Sequence, residues 1–358
     1  MQKIFSYNQL YQFCHTIFLK IGCNTNDATT ATKVLLNADL RGIDSHGIAR
    51  LSGYVRLWEA KRINATPQIK IIHETPSTAT VDGDEGLGLV VAPHAMQIAI
   101  NKAKNVGTGW VSVCNSNHFG IAGYHAMMAL EFDMMGIAMT NASALVAPTF
   151  SIERMLGTNP IAVAIPAKNQ PAFVADFATT TAANGKLEIL QRKNADAPVG
   201  WVQDAEGLSS TDANILKKKG ALLPLGTDRE HGSHKGYALG SIVDIFSGVL
   251  SGASYGPWVP PFPAYVPMPE YQPGKGLGHF FGAIRIDAFR SANEFKEHMD
   301  NWIEQFRKAK PAKGFDKVLI PGDPERETEI LRRKEGIPIV ESVVEDLKLV
   351  AEKFKVLL

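Results

Sequence analysis

The sequence is poor in the features that usually disclose a function at once. It has only three cysteines, Cys14, Cys23 and Cys114, too few and too scattered for a disulfide framework or a cysteine metal site. A reducing, cytoplasmic compartment is expected, with the thiols as packing residues. Charge of one sign is not in excess either: the formal net charge is +1 and the basic residues are spread along the chain, so no footprint for nucleic acid or an anionic membrane is present. No stretch approaches the roughly twenty uninterrupted apolar residues of a membrane span. A G-x-G-x-x-G dinucleotide fingerprint and a P-loop are both missing. The nearest approach, "GDEGLGLVVAPHAM" from Gly83, reads better as a turn entering a helix.

What is present describes a globular α/β chain. Its 358 residues, 45% hydrophobic and 20% charged, suffice for two or more lobes. Near the N-terminus Leu10, Phe13, Cys14, Ile17, Phe18 and Ile21 fall at helical spacing, and Gln12, His15 and Lys20 interrupt them, which predicts an amphipathic helix rather than a signal peptide. A second helix is predicted over about Asp27 to Leu40, with Asn24 or Thr25 as cap and a stop at Gly42. From about Ile69 short β-rich runs take over ("STATVDG", "GTGWVSVCNS", "MMGIAMTN", "IAVAIPA", "AFVADFA"), with a helix over Ala92 to Val106 between some of them. Beyond Gly282 helices return, with Phe295, Met299, Trp302, Ile303 and Phe306 on one face and Val344, Leu347, Val350, Ala351 and Phe354 on another. The expected division is 1–68 helical, 69–285 an α/β body and 286–358 helical, the two ends packing together. Trp258 to Pro273, rich in proline and aromatics, reads as an ordered excursion.

Histidines carry more information than glycines. Of ten, three groups sit in Gly, Ser and Asn surroundings: "DSHG" at His46, "NSNHFG" at His118 and "HGSH" at His231 and His234. The last pair lacks the helical spacing and the third ligand that zinc requires, so no metal site is expected. A Ser-His-Asp hydrolase is disfavoured because Asp44, Ser45 and His46 are adjacent and no G-x-S-x-G elbow exists.

The segments "LRGIDSHGIARL", "SNHFGIAGYHAMMAL", "TNASALVAPTFSIERMLGTNPIAVAIPA", "VADFATTTAANGKLEI", "GSHKGYALGSIVDIFSGVLSGASYG" and "IPGDPERE" together resemble the malate/L-lactate dehydrogenase family of NAD(P)-dependent oxidoreductases, the type unrelated to the Rossmann enzymes. The resemblance covers nearly the whole chain. It implies a distinctive mixed-sheet dinucleotide-binding fold with an all-helical domain formed by both chain ends, a homodimer, and a small 2-hydroxy or 2-oxo acid substrate. Malate-type motifs match best, which implies hydride transfer between (S)-malate and oxaloacetate with NAD, NADP being possible; L-lactate, sulfolactate and ureidoglycolate are the alternatives.

The same resemblance assigns residues. Either His118 or His46 would transfer the proton, and His118 is favoured; His46 would then orient the substrate and polarise its oxygen with Ser45 assisting, and Arg50 would clamp the carboxylate through its planar fork. Asn141 and Ser143 fall at the substrate. Asn141 stands where some imine-reducing members carry a lysine, which disfavours an imine. Pro160, Asp176, Phe177, Ala178, His234, Lys235, Gly236, Pro321, Gly322 and Asp323 match segments that contact the dinucleotide, with Lys235 facing its pyrophosphate.

Overall fold

A computed structural model describes residues 2–358. The chain opens with strand β1 (Gln2–Phe5) and helices α1 (Tyr7–Lys20) and α2 (Thr25–Leu40). Ser6 and Gln9 form a capping box on α1, and the Asn24 side chain accepts from the Asp27 N–H, so the polar residues preceding each apolar run set the helix starts. After α2 the backbone turns at Gly42 (φ +79°), passes through two single-turn helical segments, Asp44–His46 and Ile48–Arg50, and enters α3 (Leu51–Glu59).

The body follows as β2 (Lys70–Glu74), β3 (Thr78–Asp82), α4 (Gly88–Val106), β4 (Thr108–Ser116), α5 (Ala122–Met127), β5 (Met134–Thr140), β6 (Ile161–Ile165) and β7 (Phe173–Phe177). Next come α6 (Asn184–Arg192), the two-residue strands β8 (Val202–Gln203), β9 (Ser209–Ser210) and β10 (Ala221–Leu222), and α7 (Ser233–Asp244). The chain then forms β11 (Leu277–Arg285), α8 (Ala292–Lys308), α9 (Asp323–Glu335), β12 (Ile337–Val340) and α10 (Glu341–Phe354).

Seven strands form one mixed sheet in the order β2-β3-β4-β11-β5-β6-β7. Only β3 and β4 pair in parallel, and α4 makes the crossover that a parallel pair needs. Every β-rich run singled out in the sequence is a strand of this sheet. The return of helices at Gly282 is corrected: β11 continues to Arg285 and lies at the centre of the sheet, between β4 and β5. Its buried run "LGHFF" lacks the alternation of a half-exposed strand, since both faces are covered. Helix α4 begins four residues earlier than its periodicity indicates. A Cβ at Gly88 would lie 2.0 Å from the Asn117 carbonyl oxygen, so this glycine lets the helix start press against the loop that carries His118.

Both chain ends share one core. Strands β1 and β12 pair antiparallel, and Leu10, Phe13, Ile17 and Phe18 of α1 pack in one cluster with Leu35 of α2, Tyr54 of α3 and Val344 and Leu347 of α10. Each such buried aliphatic or aromatic side chain contributes about 1.5–3 kcal/mol. The end domain is therefore helical with one short ribbon, whose four-residue strands are too brief to show a period in the sequence. Helix α8 lies apart, against the β6–β7 connection: Asp300 accepts from the N–H groups of Lys168, Asn169 and Gln170, and Trp302 meets Phe173 edge to face. No helix among the described residues is long and apolar enough to cross a membrane.

Candidate active site

The "DSHGIAR" loop is shaped from beneath by a buried carboxylate. Asp39, in the last turn of α2, accepts the Ile48 N–H at 2.7 Å. A Cβ at Gly47 would fall 2.2 Å from that carboxylate, so only glycine lets the loop close over Asp39. Arg332 of α9 ties the outer edge of the loop by pairing with Asp44. The result is a rigid turn that displays Ser45, His46 and Arg50. Ser45 Oγ lies 2.9 Å from His46 Nδ1, and Arg50 Nε donates to the Ser45 carbonyl at 2.6 Å.

The loop after β4 brings His118 to the same place. The His46 and His118 rings stack with centroids 5.6 Å apart and planes 21° from parallel. Tyr54, one turn beyond Arg50 on α3, sets its hydroxyl 2.7 Å from His118 Nδ1. Phe262, from the proline-rich excursion, packs 4.9 Å from the His118 ring and edge-on to Tyr54. Burial first, and then the Arg50 cation, pushes the His46 imidazole down to about 4. His118 is held well below the usual histidine range by burial, with His46, Arg50 and His279 adding to the effect. Both imidazoles are therefore neutral near pH 7, as a proton acceptor must be before it acts.

Next to His46 opens a cavity of about 400 Å³. Pro160, Asp176, Phe177 and Ala178 line it, as do Lys186 of α6 and Glu325 of α9. The Gly123 N–H donates to Asp176 Oδ2 at 2.8 Å, and no described residue donates to its other oxygen. Burial raises the Asp176 carboxyl to about 6, against the opposing pull of the Gly123 hydrogen bond and Arg41. These groups suit a dinucleotide: a carboxyl oxygen free to accept from a ribose hydroxyl or an amide, the Lys186 ammonium, and apolar side chains such as Ile121, Pro160 and Phe177 in a cavity bordered by His46. Arg50 opens on an adjoining cavity of about 280 Å³, with Ser45 bordering both. There its Nη2 stands 3.7 Å from Glu188 of α6. A Cβ at Gly185 would lie 2.4 Å from Ser45 Cβ, so α6 packs directly on the loop.

Several sequence assignments are placed elsewhere. Asn141 is fully buried and spent on structure: its amide donates to the Ser254 carbonyl at 2.8 Å and accepts the Gly278 N–H at 3.0 Å, so it does not face a substrate. Ser143 Oγ accepts the Phe262 N–H and donates to the Pro260 carbonyl; it fastens the excursion that seats Phe262 on His118. His234 is half-buried beside Arg229, which donates to its Nδ1, and neither it nor Lys235 lines the His46 cavity. His231 pairs with Asp228 at 2.7 Å, so the two "HGSH" imidazoles have separate partners. Gly236 is a packing glycine, since a Cβ there would meet the Leu225 backbone at 2.4 Å. Pro321, Gly322 and Asp323 also stay outside the cavity. Pro321 accepts the Val174 N–H, Gly322 (φ +98°) packs on Val174, and Asp323 is buried between Arg307, Arg326 and the Ile320 N–H. Together they aim α9, whose Glu325 does reach the cavity. Among the described residues no group of three His, Cys, Asp or Glu side chains could hold a metal ion.

Tyr54, Phe262, Lys186 and Glu325 were not singled out in the sequence. Tyr54 had a signal, because a helix that starts at Leu51 carries residues 50 and 54 on one face. Phe262 had none, since its contact depends on where a long irregular segment folds back.

The family profile described as malate/L-lactate dehydrogenase matches residues 5–348. A malate dehydrogenase of Pyrococcus horikoshii is 43% identical over 97% of this chain and 94% of its own length. An L-sulfolactate dehydrogenase of Methanocaldococcus jannaschii is 39% identical over 93% of this chain and 92% of its own. Among solved structures, a malate dehydrogenase from Entamoeba histolytica superposes with a TM-score of 0.93 at 35% identity, covering 100% of this chain and 99% of that one. The fold and the site thus define a dehydrogenase acting on hydroxy acids. The chain belongs to the malate/L-lactate dehydrogenase family.

Proposed function

We propose that this protein is a malate dehydrogenase that interconverts (S)-malate and oxaloacetate with NAD. The observation that carries the reading is the stacked pair of neutral histidines, with Arg50 on the His46 loop and His46 itself bordering the Asp176 cavity. The 43% identity to a protein named malate dehydrogenase supports the substrate. Held in the cavity by Asp176, Lys186 and Glu325, a dinucleotide would supply the hydride acceptor for oxidation and the donor for reduction. Arg50 binds the carboxylate next to the reacting carbon, with the substrate displacing Glu188 from its fork. His118 takes the hydroxyl proton during oxidation and returns it during reduction, while His46, steadied by Ser45, polarises the substrate oxygen. Carboxyl groups of Asp176 and Glu325 in one cavity disfavour the extra phosphate of NADP, which supports NAD.

A panel of 2-oxo acids, ureidoglycolate and a cyclic imine with both cofactors, followed at the reduced-nicotinamide absorbance, tests the assignment. Oxaloacetate with NADH is expected to give the highest kcat/KM. A roughly tenfold advantage for another substrate, equivalent to about 1.4 kcal/mol, would transfer the assignment to that compound. Sulfolactate is the foremost alternative, given the 39% identity to an L-sulfolactate dehydrogenase; L-lactate and ureidoglycolate follow.

The same reading includes a homodimer in the cytoplasm. Helix α7 and the π-helical segment that continues it (Ile245–Val249) expose, with Leu250, the side chains of Tyr237, Ile242, Ile245, Phe246 and Val249, an apolar row that a second copy would cover. Light scattering at micromolar concentration should give about twice the chain mass; a fully active monomer would remove the dimer from the proposal. The three free, buried cysteines suit a reducing compartment.

A further inference from the structure

The contact between Tyr54 and His118 bears on which ring nitrogen holds the proton. A histidine that accepts a proton from an alcohol must present a bare nitrogen to it, so its other nitrogen must carry hydrogen and have somewhere to donate it. His118 Nδ1 faces two protein groups. The Tyr54 hydroxyl is 2.7 Å away, and the Gly120 N–H points at the same nitrogen from 3.4 Å. Among the described residues no carboxylate bonds to this nitrogen, the place that an aspartate takes in a hydrolase triad.

Left alone with Nδ1, the Gly120 N–H would favour a bare Nδ1 and a protonated Nε2, the wrong tautomer for accepting a proton at Nε2. The Tyr54 hydroxyl fits either form: it can donate to a bare Nδ1, or it can oppose the Gly120 preference by turning its own hydrogen away. Its oxygen can accept from Nδ1–H while its own hydrogen points to the His118 carbonyl oxygen, 3.4 Å away. We propose that Tyr54 is a positioning residue that holds His118 in its Nδ1–H form, leaving Nε2 free for the substrate proton. This inference rests on the reading of His118 as the acid/base. In oxidation the substrate hydroxyl proton passes to Nε2 and gives an imidazolium whose Nδ1–H still points at Tyr54. In reduction the same Nε2 proton goes to the substrate oxygen, and the Nδ1–H form is restored. The Nδ1 hydrogen stays on the ring throughout, so Tyr54 neither gains nor loses a proton.

The surroundings support this role. Tyr54 is fully buried, and burial drives its phenol far above the usual range, so the hydroxyl remains a neutral partner. Its ring is fixed edge-on by Phe262, which itself lies in space left by the missing Cβ of Gly53. Phe262 also packs against the His118 ring at 4.9 Å, and Ser143 secures its backbone. The ring of Tyr54 therefore packs, and its hydroxyl sets the tautomer.

The test uses the full-length protein with histidine labelled with ¹⁵N, bound to NAD and a non-reacting dicarboxylate. In the unmodified protein the His118 signals should show hydrogen on Nδ1; hydrogen on Nε2 overturns the inference without any variant. Tyr54→Phe keeps the ring and removes the hydroxyl. It should move the hydrogen to Nε2 and lower kcat roughly tenfold to a hundredfold, with KM for oxaloacetate and Kd for NADH within about twofold. Unchanged kcat in Tyr54→Phe, beside a large loss in His118→Ala, refutes the role of Tyr54 and leaves His118 as the acid/base. Full activity in His118→Ala instead refutes the reading on which the inference rests.

Discussion

His118→Ala is expected to lower kcat by about 10²–10⁴, the range for loss of a positioned proton donor or acceptor. Binding of NADH, measured by fluorescence titration, should be nearly unchanged, because His118 does not line the cavity of Asp176 and Glu325. The pH profile adds a signed expectation. Burial, reinforced by His46 and Arg50, holds His118 well below the ordinary histidine range, so its neutral form persists as pH falls through about 6.5. For malate oxidation the acid limb of kcat/KM should therefore lie below pH 6.5, and His118→Ala should erase it. His46→Ala should reduce the rate and leave that limb in place. If the limb vanishes in His46→Ala and survives in His118→Ala, the two roles are exchanged.

Arg50→Lys is expected to separate binding from chemistry. It preserves the positive charge but loses the planar fork, and with it the Nε bond to the Ser45 carbonyl that fixes the guanidinium in place. A charge-assisted hydrogen bond is worth about 1.5–3 kcal/mol, so kcat/KM for oxaloacetate should fall roughly ten- to a hundredfold, mainly through KM. Affinity for NADH should hold. An equal loss of NADH affinity would mean that Arg50 serves the dinucleotide, and unchanged kinetics would mean that it only anchors the loop. Glu188 sharpens the reading. Its carboxylate stands 3.7 Å from Arg50 and is held by Asn184, so Arg50→Lys is expected to weaken this pair as well.

The candidate loop was legible because its polar residues are local. Ser45, His46 and Arg50 lie within six residues of one another, and Gly42 and Gly47 mark the turns that expose them. His118 was legible for the same reason, since Asn117, His118 and Gly120 form a turn after a clear β-run. Segment matches were less reliable for individual contacts. Asn141 and Asp323 lie in segments of the right kind, yet their side chains are consumed by buried hydrogen bonds and ion pairs that no spacing reveals. A segment can be at a site while a given side chain in it turns inward, because a one-residue step along a strand or turn changes the face that it presents.

By itself, the sequence determined the elements whose cause is periodic or compositional: the capped helices α1 and α2, the β-rich runs of the body, the absence of a Rossmann fingerprint and the His46 and His118 loops. Tertiary structure alone decided the rest. It placed β11 at the centre of the sheet and joined β1 to β12 across more than three hundred residues. It also carried Phe262 back over His118, set Tyr54 against the His118 ring and turned Glu325 into the cavity. These are long-range contacts, fixed by which buried surfaces find one another when the chain closes, and local pattern carries no record of them.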